Sequence, residues 1–182
     1  MLGFQQIVSR VREHLGAQAV LEAKDSGLHP SINVGPDFWH SVADFLAHDP
    51  ETDLSVLRCI TGLDYPDRRL LCAVYDLLSY QHRHTFCVKV FVPHDAPLLP
   101  SVAAIWRSAD WHEREAYDMF GLVFTGHPDS VTDGGAAHPR RILLPDDWEG
   151  FPLRKDYQFP REYHGIPGSV ELDWAQKPDY PA

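Results

Sequence analysis

Apolar positions in the first third of the chain recur at helical spacing, then switch to strand patterns. Phe4, Ile7, Val8, Val11 and Leu15 fall three and four apart and Gly16 follows, which predicts a helix over 4–15 closed by a glycine. Residues 19–23 and 29–34 read as short strands. Gly35-Pro36 opens a second helix with proline at its first position, Phe38, Trp39, Val42, Phe45 and Leu46 form its buried stripe, and Asp49-Pro50 ends it. The middle third reads as sheet. Residues 54–60 and 70–79 are apolar runs of strand length, and 85–92 places Phe86, Val88, Val90 and Val92 on one face. The connections are short, carrying Gly62, Asp64, Pro66 and Asp67 and then residues 81–83, so these strands are expected to pair antiparallel. A short helix over 101–106 precedes another that starts at Asp110, where Asp110 and Glu113 form an acidic variant of the capping box, and stops at Gly121. Helices on both sides of an antiparallel run predict an α+β class: a two-layer domain, residues 1–127, of helices packed on a largely antiparallel sheet.

From Pro128 the periodicity disappears. Eight of the 15 prolines fall in 128–182, and Ser130 to Ala137 is a small-residue loop containing Gly134-Gly135. Yet the stretch keeps Ile142, Leu143, Leu144, Trp148, Phe151, Leu153, Tyr157, Phe159, Tyr163, Ile166, Trp174 and Tyr180, unlike a disordered linker. Ordering extended backbone costs about 1–2 kcal/mol per residue, and burying a large apolar side chain returns roughly 1.5–3 kcal/mol. Residues 128–182 are therefore expected to be a loop insertion followed by an extended interface tail, ordered where its side chains find the domain or a neighbouring protein.

Composition removes several function classes. With 16 Lys+Arg against 26 Asp+Glu the net charge is −10, and residues 110–182 hold 7 basic and 14 acidic side chains, so no nucleic-acid footprint is expected. No apolar run approaches a spanning helix and no signal peptide opens the chain, so direct membrane insertion is not expected. Cys59, Cys72 and Cys87 sit in apolar runs without a CxxC pair, which suits buried thiols in a reducing compartment and not a cluster or a cysteine zinc site. In His112-Glu113-Arg114-Glu115 the zinc-protease spacing fails at Ala116, and the other histidines (His82, His84, His127, His138 among them) are scattered. No phosphate-cradling glycine motif and no nucleophile elbow is present, so no catalytic, cofactor-binding or metal residues are expected. One carboxylate resists a solvated reading: Trp111, Glu115 and Met119 lie four apart, placing Glu115 on an apolar stripe in need of an arginine from elsewhere, while Arg114 is expected to pair with Asp118 at i,i+4.

Residues 113–121 (Glu-Arg-Glu-Ala-Tyr-Asp-Met-Phe-Gly), Phe124-Thr125-Gly126-His127-Pro128, residues 140–150 (Arg-Arg-Ile-Leu-Leu-Pro-Asp-Asp-Trp-Glu-Gly) and Pro152-Leu153-Arg154-Lys155-Asp156-Tyr157 together resemble, in fixed order, the signature of the C subunit of NADH–quinone oxidoreductase, respiratory complex I. One departure stands out: where the family runs from His-Pro-Asp through one residue into Arg-Arg, residues 130–139 intervene, and His138-Pro139 echoes His127-Pro128.

The resemblance implies a non-catalytic structural subunit of the peripheral arm, in its unfused form. The whole complex carries electrons from NADH through FMN and iron–sulfur clusters, held by partner proteins, to quinone, coupled to proton translocation. The D subunit of complex I is the first partner implied, then other peripheral-arm components. The implied location is the cytoplasmic face of the cell inner membrane, or the matrix side in a mitochondrion. Residues expected to build the interface are Glu113, Arg114, Glu115, Tyr117, Asp118, Phe120, Gly121, Arg140, Arg141, Leu144, Pro145, Trp148, Arg154, Lys155 and Tyr157, with Arg140, Arg141, Arg154 and Lys155 neutralising Glu113 and Glu115. The alternatives are the equivalent component of a membrane-bound hydrogenase or other complex I relative, a stand-alone acid/base enzyme built on His112 to Asp118, and a free-standing adaptor.

Overall fold

The computed structural model describes residues 2–27, 29–133, 136–160 and 162–167. Helix α1 (Phe4–Leu15) is followed by a single 3-10 turn at Ala17–Ala19 and strands β1 (Glu22–Lys24) and β2 (Ser31–Val34). Helix α2 (Pro36–His48) begins on Gly35 with Pro36 in its first turn and ends at Asp49, whose N–H still reaches the Phe45 carbonyl. Then come three ten-residue strands, β3 (Val56–Tyr65), β4 (Leu70–Ser79) and β5 (His84–Pro93). Short β6 (Leu98–Pro100), helix α3 (Ala109–Phe120) and β7 (Val123–Thr125) complete the domain.

The five-stranded sheet has the order β1-β2-β5-β4-β3. The β3–β4 and β4–β5 pairs are antiparallel, as their short connections require; β2 and β5 are parallel because α2, β3 and β4 lie between them in sequence. Along β4, Leu71, Ala73, Tyr75, Leu77 and Ser79 are buried, whereas Val74, Asp76 and Leu78 on the opposite face are only half-buried. The covered face carries the core. Ile7, Val8 and Val11 of α1 and Trp39, Val42, Ala43 and Leu46 of α2 join Ile32, Val34, Val88 and Val90 in one apolar cluster. Trp39 lies 4.2 Å, centroid to centroid, from Tyr75 and 6.3 Å from Trp106. Arg10 clamps the carboxylate at the end of α2, with Nη2 to Asp49 Oδ1 at 2.6 Å and Nε to Oδ2 at 3.2 Å.

Four expectations change. Residues 19–23 do not form one strand, since a 3-10 turn occupies 17–19 and β1 starts at Glu22. Residues 101–106 are turns and not a helix: Ile105 and Trp106 share the Val102 carbonyl, and the segment is pinned by side chains, Trp106 Nε1 donating to Leu54 O (3.0 Å) and Ser108 Oγ to Leu57 O (3.0 Å). The expected capping box at Asp110 does not form, because α3 starts one residue earlier, Ser108 is its N-cap, and Glu113 is turned into the core. Residues 130–133 and 136–139 are not a loop but an antiparallel pair, β8 (Ser130–Asp133) and β9 (Ala136–Pro139), with Ser130 opposite Pro139. Short strands Glu162–Tyr163 and Ile166–Pro167 pair beyond it. Gly134-Gly135 and the tail beyond Pro167, including Trp174 and Tyr180, lie outside the described residues.

Gly62 shows how α3 is seated. It lies inside β3 and not in a connection, and a Cβ there would stand 2.3 Å from Cδ2 of Phe120. The absent side chain is what lets the end of α3 lie against the strand. Gly62→Ala should therefore cost about 1–3 kcal/mol through overpacking. Urea denaturation checks this, and the double variant with Phe120→Leu should recover part of the loss.

Candidate assembly interface

The buried stripe of α3 is offset from the expected one. Ala109, Glu113, Ala116 and Tyr117 face inward, the two alanines allowing close approach, whereas Trp111 is 62% exposed and Glu115 is exposed. Glu115 is therefore not the carboxylate that burial must satisfy; Glu113 is. The Glu113 side chain is fully buried and accepts hydrogen bonds from Ser101 Oγ (2.6 Å) and the Val102 N–H (2.7 Å). Burial pushes its carboxyl up to about 7, against the opposing pull of those two donors. Contrary to expectation, no arginine among the described residues neutralises it. The basic group that approaches it is His127, with Nε2 3.9 Å from Glu113 Oε2. The Asp129 N–H donates to His127 Nδ1 (3.0 Å), which leaves the ring proton on Nε2, facing the Asp110 carbonyl at 3.0 Å.

The second buried carboxylate, Asp118, organises the segment after the hairpin. Its Oδ1 receives Nη1 of Arg141 at 2.7 Å. Its Oδ2 receives three successive backbone N–H groups, from Ile142 (3.1 Å), Leu143 (2.7 Å) and Leu144 (2.9 Å), forming an anion-binding nest around one oxygen. Arg141 extends the link with Nη2 to the carbonyls of Trp148 (3.1 Å) and Gly150 (3.2 Å), its guanidinium lying over Tyr117 and Phe151. The expected i,i+4 pairing of Arg114 with Asp118 does not occur. Arg114 stacks on Trp111, donates to the carbonyls of Arg140 (3.1 Å) and Arg141 (3.4 Å) and pairs with Asp129.

The β8–β9 hairpin leads directly into this arrangement. Its two ends close on each other: the Arg140 N–H donates to Asp129 O (3.0 Å), and the Arg140 side chain pairs with the Asp129 carboxylate (3.2 Å). The chain thus returns to its starting point before Arg141 is placed.

Arg154 and Lys155 do not reach Glu113 or Glu115 either. Arg154 Nε donates to the last-turn carbonyl of Phe120 (2.6 Å), and burial pulls its pKa below the usual guanidinium range. The Leu153 N–H reaches Met119 O (3.0 Å), and the Lys155 N–H reaches Asp64 Oδ2 (2.8 Å). Gly121 has φ +73°, and a Cβ there would meet Phe151 at 2.5 Å and Arg154 Nη2 at 2.7 Å, so glycine serves both the left-handed cap and the tail's close approach. Leu144 is half-buried and Pro145 exposed. The Trp148 and Tyr163 rings meet tilted, with centroids 5.1 Å apart, and the Tyr157 ring lies against Gly150, its hydroxyl reaching Glu149 O. Asp147 accepts from Tyr163 Oη and His164 Nε2, both at 2.7 Å, which hold its carboxyl below the ordinary range.

The α3 C-terminus, Arg141 and residues 142–157 are therefore one structure held by buried charge. Large apolar side chains stay outside it: Leu143 is 60% exposed, Leu153 51%, Phe159 69% and Ile166 68%. Burial pushes the Cys72 and Cys87 thiols up to about 12, as expected for inert buried cysteines, whereas Cys59 is only half-buried. Among the described residues no helix is long and apolar enough to cross a membrane.

Comparison with known proteins agrees with this architecture. The family described as "Respiratory-chain NADH dehydrogenase, 30 Kd subunit" matches residues 32–163. The C subunit of NADH-quinone oxidoreductase from Chlorobium phaeobacteroides is 47% identical over 158 residues, covering 86% of this chain and 89% of the relative. Its counterpart from Chloroherpeton thalassium is 45% identical over 158 residues, covering 86% of this chain; this chain spans 61% of that relative's length. Among solved structures, a trypsin-resistant fragment of Nqo5 is 32% identical with a TM-score of 0.54, covering 68% of this chain and 98% of the fragment. A chain of a membrane-bound sulfane sulfur reductase, an archaeal respiratory membrane complex, shares the fold at a TM-score of 0.65 and 24% identity, with 85% of each chain covered. With the family's residues falling on both the sheet domain and the clamped segment, the chain belongs to the family of the 30 kDa subunit of respiratory-chain NADH dehydrogenase, complex I.

Proposed function

We propose that the chain is a structural, non-catalytic subunit of the peripheral arm of an NADH:quinone oxidoreductase, at the cytoplasmic face of the membrane. The complex would pass electrons from NADH through FMN and iron–sulfur clusters in its partner proteins to quinone, coupled to proton translocation. The observation that carries this reading is the Asp118–Arg141 clamp. It spends a buried ion pair and three backbone N–H groups on fixing an irregular segment whose large apolar side chains point to solvent. Rigid presentation of exposed apolar anchors lowers the ordering cost of docking and supports a protein partner, in the first place the D subunit of the complex.

A charge on one of those anchors tests the reading. Leu143→Glu should leave the isolated chain folded but cut recovery of the assembled complex in pull-downs at least fivefold, with quinone reduction falling in proportion. An assembled complex that had lost electron transfer would instead point to a direct catalytic role. The shared fold of the sulfane sulfur reductase chain makes a related membrane-bound complex the second reading. Identification of the co-purified proteins separates the two.

A further inference from the structure

We propose that Asp64, His94 and Asp156 form a binding site for a first-row divalent transition cation, of which zinc is the test case. The three residues come from distant parts of the chain: the end of β3, the residue after β5, and the tail segment following Lys155. One donor atom from each lies within 4.8 Å of the other two. In a tetrahedral zinc site with bonds near 2.0–2.2 Å the donors stand roughly 3.4 Å apart. Asp64 Oδ1 and His94 Nε2 are 3.8 Å apart, too far for a hydrogen bond and close to the spacing a shared cation imposes.

A second, independent observation is the state of Asp64. Its side chain is fully buried, and while Oδ2 accepts from the Lys155 N–H, Oδ1 has no hydrogen-bond partner among the described residues. A bare carboxylate oxygen in the interior is costly unless something positive meets it. The neighbouring cations have other commitments. Arg69 pairs with Asp95, and Arg154 donates its Nε–H to the Phe120 carbonyl while its charge is shared among Asp156, Asp64 and Asp95. His94 and Asp156 line a cavity of about 830 Å³, which supplies an entry path and leaves room for water to complete the coordination.

One imidazole with two carboxylates favours zinc, manganese or iron(II) over magnesium or calcium, which prefer all-oxygen sites. The bound cation would staple the tail to the ends of β3 and β5. This inference concerns the isolated chain and does not rest on the assembly reading.

The test is titration of the metal-free full-length protein with zinc chloride, followed by calorimetry and by protease cleavage within 151–160. The wild type should bind one zinc tighter than magnesium, and zinc should slow cleavage. His94→Gln and Asp156→Asn alter half-buried and exposed side chains and should keep the fold. Each should weaken that binding on the order of tenfold or more and remove the protection. Cobalt in place of zinc should give visible bands that are lost in both variants. Unchanged zinc affinity in both variants would place the metal on other histidines and overturn the proposal, as would no binding or tighter binding of magnesium.

Discussion

Asp118→Ala is expected to destabilise the folded chain by about 3–5 kcal/mol and to release residues 141–150 to proteases. The magnitude follows from what the carboxylate leaves behind. Arg141 has only 10% of its side chain exposed and would become an uncompensated buried charge, and the N–H groups of Ile142, Leu143 and Leu144 would lose their shared acceptor. Arg141→Ala should cost less, because Asp118 would keep its three backbone donors. Urea denaturation of both variants, with limited proteolysis, checks the order. Equal losses would mean that the ion pair alone holds the segment and that the nest contributes nothing. A loss below about 1 kcal/mol for Asp118→Ala would show that packing suffices.

The second large effect is a pH dependence carried by Glu113. Burial raises its folded carboxyl to about 7 from the ordinary 4.5. Between those values the unfolded chain gives up a proton that the folded chain retains, so stability falls as pH rises through that window and levels off above it. A displacement of this size corresponds to roughly 3 kcal/mol in total. Glu113→Gln removes the titration and keeps an acceptor for the Val102 N–H. Urea unfolding at about pH 5 and about pH 8 should therefore show the wild type losing about 2.5 kcal/mol relative to the variant, since part of the effect is already lost by pH 5. Parallel pH profiles would mean that Glu113 stays ionised in the folded protein.

Periodicity locates α1, α2 and the three long strands because each has one wet and one dry side, and that contrast is written in residue order. It misplaces the buried face of α3 for a physical reason. Trp111 and Met119 look like a core stripe, yet the inward face is made of Ala109, Ala116 and Tyr117, whose small members let the helix approach the sheet. The ionic partners escape residue order for the same kind of reason. Arg114 and Asp118 are neighbours in sequence, but Asp118 is met by Arg141, which arrives only after the hairpin has closed at Asp129 and Arg140. Nothing in the order of residues relates Asp64, His94 and Asp156, since their proximity is a property of strand ends and one tail turn.

The sequence by itself determined the α+β class, the antiparallel centre of the sheet, the helix-stopping role of Gly121 and, through its signature runs, the family. These depend on local periodicity, turn chemistry and residue order. Only the tertiary structure decided which carboxylates are buried, which cation meets each, and that residues 130–133 and 136–139 form a self-closing hairpin leading into the clamp. Those outcomes depend on distances between segments far apart in the chain, and such distances are set when the whole core packs.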